Sequence, residues 1–136
     1  MSATNAFEDE ILALILNGTA IPSLSGVTSF WLSLHTANPG ETGTQATSET
    51  NYTGYTRIEI ERSDSAITVS SGGTNVSQIT FPQCTGELQT LTHVGIGTSE
   101  TGAGTLLLSG ELTEQIQLQN NMTPVIEAGN LDFTCD

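Results

Sequence analysis

In the stretch Phe30-Trp31-Leu32-Ser33-Leu34-His35, every second residue is large and aliphatic or aromatic. Successive side chains of a strand point to opposite faces, so Phe30, Leu32 and Leu34 share one face while Trp31, Ser33 and His35 share the other. The same period returns at Ile58 and Ile60, which alternate with Arg57, Glu59 and Glu61. Residues 66–70 and 75–81 flank Ser71-Gly72-Gly73-Thr74, which reads as a hairpin turn. Further strands are expected over residues 88–96, 106–109, 112–118, 124–127 and 131–133, with Gly102-Ala103-Gly104 turning the chain before 106. Short strands that are only half apolar imply sheets with one buried face. The fold is therefore expected to be mainly β: an antiparallel β-sandwich or a jelly-roll-like barrel.

One short helix precedes the strands. Asn5 followed by Glu8 makes a capping-box-like start, and Phe7, Ile11, Leu14 and Ile15 repeat at helical spacing. Asn17-Gly18 supplies a stop, so the helix is expected over about 6–16. A helix this short is unstable alone and must dock, either on its own domain or on a neighbouring subunit. Beyond His35 the chain runs through a polar segment, about 36–56, with no apolar period. Such a connection is uncommon in a compact domain and marks a working surface or disorder. Its Thr, Gly, Asn and Glu, with Tyr52 and Tyr55, point to contact with another macromolecule.

Composition sets outer limits. A chain of 136 residues is expected to form one domain, 1–136. Charged residues are only 12%, with fifteen acidic, two basic (Arg57 and Arg62) and no Lys. A net charge of -13 argues against binding nucleic acid or an anionic membrane, since both need cations to neutralise phosphates. Ser and Thr take the polar role, with 22 Thr, a residue suited to half-exposed strands. No apolar run approaches the roughly 18 residues of a membrane helix. The amino terminus lacks the basic region of a signal peptide, so synthesis in a cytoplasm is expected. Cys84 and Cys135 show no metal-ligand spacing, and in a cytosolic product they are expected to stay unpaired.

Candidate chemistry is sparse. His93 alternates with apolar neighbours in Thr92-His93-Val94-Gly95-Ile96, and no Gly-x-Ser-x-Gly elbow accompanies it, so a structural ring hydrogen bond is expected. Glu59 and Glu61 share a strand face but are flanked by Arg57 and Arg62, which suits a charge lattice better than a glycosidase pair. Gly95 and Gly97 do not open a helix, so they mark a close approach or a kinked strand. No catalytic set, cofactor or metal site is expected.

Several motifs carry a family resemblance. They are Asn5-Ala6-Phe7-Glu8, Asn17-Gly18-Thr19-Ala20, Leu32-Ser33-Leu34-His35-Thr36-Ala37-Asn38-Pro39-Gly40-Glu41 and Tyr52-Thr53-Gly54-Tyr55. In the second half, Phe81-Pro82, Cys84-Thr85-Gly86, Thr92-His93-Val94-Gly95-Ile96-Gly97-Thr98 and Gly104-Thr105-Leu106-Leu107 continue it. Across about 5–131 the chain resembles a family of small virion proteins of tailed bacteriophages, often described as tail-fibre-like. The resemblance implies a structural protein of the virion, made in the host bacterial cytoplasm, and carries over no catalytic residue. Heptads and shaft-forming repeats are missing, which turns the expectation towards a capsid decoration (cement) protein. Such a protein is a small β-rich domain, usually a trimer, seated over junctions of the major capsid protein; a tail-fibre or tail-tip role among tail subunits is the alternative. Expected partner contacts are the apolar anchors Phe7, Ile11 and Trp31 and the amphipathic Tyr52 and Tyr55. Arg57 and Arg62 join them as cations that need carboxylate partners, on this chain or another. The resemblance implies that the ends of the polar segment are fixed and its middle, 42–50, free to vary, and the segment is expected to be an arm or surface loop that meets a neighbouring virion subunit.

Overall fold

A computed structural model describes residues 1–134. Among the described residues, ten strands, all paired antiparallel, with one α-helix and a short 3-10 turn at Pro22–Leu24, make it mainly β. They are β1 (Ser2–Ala3), α1 (Asn5–Asn17), β2 (Ser29–His35), β3 (Ile58–Glu61), β4 (Ile67–Val69) and β5 (Gly73–Asn75). Then come β6 (Ile79–Thr80), β7 (Gln89–Gly97), β8 (Leu106–Leu118), β9 (Val125–Ile126) and β10 (Asp132–Phe133). The principal sheet runs β1-β8-β7-β2-β3, and two small sheets, β10-β5-β4 and β6-β9, lie apart from it.

The alternation along β2 sets the layers. Leu32 pairs with Ile96 and Leu34 with Val94 across the β2–β7 ladder, which places all four on one face. There they meet Leu91 and Leu118, and from the other segments Ile79, Phe81, Ile126 and Leu131. The core thus lies between the principal sheet and the small sheets, a sandwich-like arrangement. The jelly-roll-like barrel is corrected: the principal sheet ends at β1 and β3 and does not close on itself. Closure would have removed those edges. At the β3 edge, exposed Glu59 and Glu61 discourage further pairing.

Three local expectations change. The cap of α1 is Thr4, not Asn5, and its hydroxyl donates to Leu106 O at 2.6 Å instead of capping, so a tertiary bond displaces the capping box. Residues 106–109 and 112–118 form a single strand because β7 runs alongside both, with a register shift between Leu91 and His93. The β4–β5 hairpin turns at 70–72, with Gly73 already paired to Val69. The helix stop stands as expected. Gly18 adopts φ 67°, where L-residues are strained, and the N–H groups of Gly18 and Thr19 return to Leu14 O and Ala13 O.

Candidate interaction surface

The polar segment after β2 lays Gln45 over the second face of the principal sheet as a fitted cover, while its end turns Tyr52 and Tyr55 into the core with Leu32 and Leu34. Thr36 N–H donates to Ser48 O and Thr50 N–H to Leu34 O, so 48–50 lie alongside the end of β2. Gln45, fully buried, spans two strands' ends: its Nε2 donates to Trp31 O at 3.2 Å, and its Oε1 accepts from Ser99 N–H at 3.0 Å. A side chain at Gly97 would collide with Gln45, and one at Gly95 with Leu106, His35 and Ser33. The close approach expected at these glycines is made at Gly97 by Gln45 of the cover and at Gly95 by side chains of β2 and β8.

Two polar latches hold the cover. His35 is completely buried, and its Nδ1 lies 2.8 Å from Thr47 O. A carbonyl only accepts, so Nδ1 carries the proton and Nε2 accepts from the Ser33 hydroxyl at 2.9 Å. Burial lowers the His35 pKa below its ordinary 6.5, outweighing the Thr47 carbonyl and Glu49, which favour the charged ring. The second latch is Arg57, which grips Glu49 with Nε and Nη2, each at 2.7 Å. Its Nη1 donates to Ser99 O at 2.8 Å and Nη2 also to Gly102 O at 2.6 Å, tying the cover to the β7–β8 loop. Both ends of this bidentate pair fit, and Glu49 raises the guanidinium pKa further.

The expected partner-contact residues therefore divide. Tyr52, Tyr55 and Arg57 are engaged inside the chain. Tyr52 donates to Pro82 O at 2.8 Å and meets Tyr55 edge-on, with ring centroids 5.3 Å apart. Burial pushes the Tyr52 phenol up to about 12, with Cys84 adding to the effect. Tyr55 donates to Glu49 at 2.8 Å, accepts from Leu34 N–H, and is held well above the ordinary phenol range by burial. The expectation that 42–50 is free to vary is corrected on the same ground, since Gln45 and Thr50 are buried and Thr47 and Glu49 carry the latches. Arg57 finds neither Glu59 nor Glu61 but Glu49. His93 does make the expected ring hydrogen bond, with the Thr92 hydroxyl at 2.8 Å. Cys84 is buried, and Cys135 lies outside the described residues.

Phe7, Ile11, Trp31 and Arg62 stay within reach of solvent. Trp31 is half-buried beside Glu59 of β3. Arg62 is exposed and stands over the Phe30 ring, 5.8 Å from its centroid. Phe7 is half-buried against the core, and Ile11 follows one turn later. Beyond them α1 has no buried residue at all. Leu12, Leu14, Ile15 and Leu16 are 52%, 44%, 69% and 75% exposed. Beside the helix opens an apolar groove of about 720 Å³, walled by Phe7, Leu24, Phe30, Ile67, Val69 and Phe133. Val69, on its lip, is 77% exposed. The sequence signals for this surface were the uncharged run 11–16 and the hairpin valine; the groove itself needed three distant segments to converge.

Among the described residues no helix is long and apolar enough to cross a membrane, and no three His, Cys, Asp or Glu side chains converge as a metal cage would need. What remains prominent is an uncovered helix beside an apolar groove on an otherwise acidic molecule. Large exposed apolar surface marks protein contact. No curated protein matches the sequence. A family model does: residues 2–134 match the family described as podophage GP4 fiber I protein gp80. With a match over nearly its whole length, this chain belongs to that family of small, fibre-like structural proteins of tailed-phage virions.

Proposed function

We propose that the protein is a subunit of a fibre on a tailed-phage particle, acting by assembly with neighbouring virion subunits and not by catalysis. The observation that carries this reading is the family match over residues 2–134, with its fibre description. The molecule suits the task. A latched, double-faced sheet supplies stiffness, and the uncovered helix face supplies a place to bind. Its partners under this reading are tail subunits and further copies of itself, with a trimer the expected form.

Capsid decoration is the second reading, favoured by a specific feature: a compact β-rich unit without shaft repeats or heptads. There the partner is the major capsid protein, and many copies of a modest contact add up. Gold-labelled antibody on intact particles, together with copy number from quantitative mass spectrometry, tests the two. Label on an appendage at no more than a few dozen copies supports the fibre reading. Label over the outer head surface at hundreds of copies overturns it in favour of decoration.

A further inference from the structure

The exposed apolar residues of α1 form an ordered stripe. Leu12, Ile15 and Leu16 stand at i, i+3 and i+4, the spacing of a helix that lays one face into a groove. Asp9, also exposed, extends the stripe one turn towards the helix N-terminus. Glu10, by contrast, is tied back to the Ser23 hydroxyl. The groove beside the helix is apolar, and its rim carries Arg62 and Asp64. We propose that α1 of one copy of this chain seats in the groove of a second copy, with Leu12, Ile15 and Leu16 against Phe30, Ile67, Val69 and Phe133.

Charge selects this occupant. Each copy carries -13 with only two cations, and Arg57 is buried against Glu49. Copies therefore repel over most of their surface, and a stable contact is favoured where apolar surface dominates and the few carboxylates present, such as exposed Asp64 of the groove, can keep their water. Residues 11–16 carry no charge. Arg62 is the one exposed basic side chain of the sequence, and it lines the groove. The incoming helix brings Asp9 one turn from Leu12, within the same stripe, so the charge that precedes the apolar stripe meets the cation that borders the apolar groove.

Area selects the geometry. The exposed parts of Leu12, Ile15 and Leu16 come to on the order of 350 Å², less than half of what one partner gives to a standard interface. Helix against helix would bury little more than that. Seating the helix in the groove covers it on several sides and also covers the lip at Val69. A helix-to-groove contact uses two different patches, so each copy can give its helix and receive another, either exchanged in a closed dimer or continued along a series. The contact is independent of where on the particle the protein stands.

Sedimentation velocity of the full chain between about 1 and 100 μM is the first test, with mass expected to rise with concentration. Two surface variants then probe the two patches: Ile15→Glu with Leu16→Glu on the helix, and Val69→Glu on the lip. All three positions are exposed, so circular dichroism melts should match the parent. Each variant alone should sediment as a monomer. Mixed, they should form a one-to-one heterodimer, because one retains the groove and the other the helix. Arg62→Glu should weaken association at least tenfold, and adding Asp9→Arg should restore most of it. A parent chain that stays monomeric at the highest concentration overturns the proposal. So does an association that the helix variant leaves intact, a Val69→Glu variant that associates normally, or a mixture that remains monomeric. Loss of this contact would leave the labelling and copy-number results untouched, so its failure is separable from that of the fibre reading.

Discussion

Arg57 illustrates why residue type alone points in two directions. A guanidinium in an acidic chain is an apt partner-binding group, yet here its planar fork takes Glu49 and two loop carbonyls, and its side chain is only 3% exposed. Removing one member of a buried pair strands the other without water or counter-charge. Glu49→Gln should therefore cost about 3 kcal/mol, within the range for breaking such pairs, read as a lower urea midpoint. The double change Glu49→Gln with Arg57→Met should recover much of that loss, because the stranded charge is gone. His35 makes a second prediction. Burial holds its folded pKa below 6.5, so the unfolded chain takes up the proton first as pH falls. The stability linked to this ring is complete above 6.5 and is lost as pH drops from there through the lower folded value. Thermal midpoints should fall between about pH 7.5 and pH 5.5, and His35→Gln should flatten that slope. An unchanged slope in the variant would mean that His35 does not govern it.

At the scale of elements, the cover over residues 36–56 behaves as a fixed part of the sheet. Gly97→Ala pushes a methyl group into Gln45, and overpacking of this kind typically costs about 1–3 kcal/mol, measurable by the same urea titration. Replacing 42–50 with a short Gly-Ser linker should destabilise the whole chain, since Gln45, Thr47 and Glu49 all go with it. A thermal midpoint unchanged by the linker would show that the cover merely rests on the sheet. The strands beneath were legible because burial of one face writes a period of two into the sequence, as at Leu32 and Leu34 or Ile58 and Ile60. Turn chemistry made the β4–β5 hairpin legible, and Gly18 the end of α1. The cover was not legible. Gln45 is satisfied by Trp31 O and Ser99 N–H, backbone groups that every residue possesses and that lie far away in sequence, so no local pattern announces the match. Tyr52 and Tyr55 misled for a related reason. An amphipathic ring suits an interface between chains and a polar seam within one chain equally well. The helix was legible as amphipathic, but its apolar residues extend past the face it docks, and only the structure separates Phe7, which packs, from Leu12 and Leu16, which do not.

The whole molecule sets two long-range forces against each other. Thirteen net negative charges repel any second copy, while one apolar helix and one apolar groove invite it. A contact built mainly from ion pairs weakens as salt is added, because screening removes the attraction that forms it. Here the balance is reversed. One Asp9–Arg62 pair is outnumbered by the carboxylates spread over the remaining surface, so screening should remove more repulsion than attraction. Raising ionic strength from about 10 mM to about 100 mM shortens the screening length from about 30 Å to about 10 Å, less than the width of the molecule. The association constant from sedimentation equilibrium should rise several-fold over that interval, and should rise less for a variant in which three exposed glutamates outside α1 and the groove lining, Glu87, Glu100 and Glu114, are changed to Gln. An association that weakens steadily with salt would mean that charge, not the helix face, joins the copies.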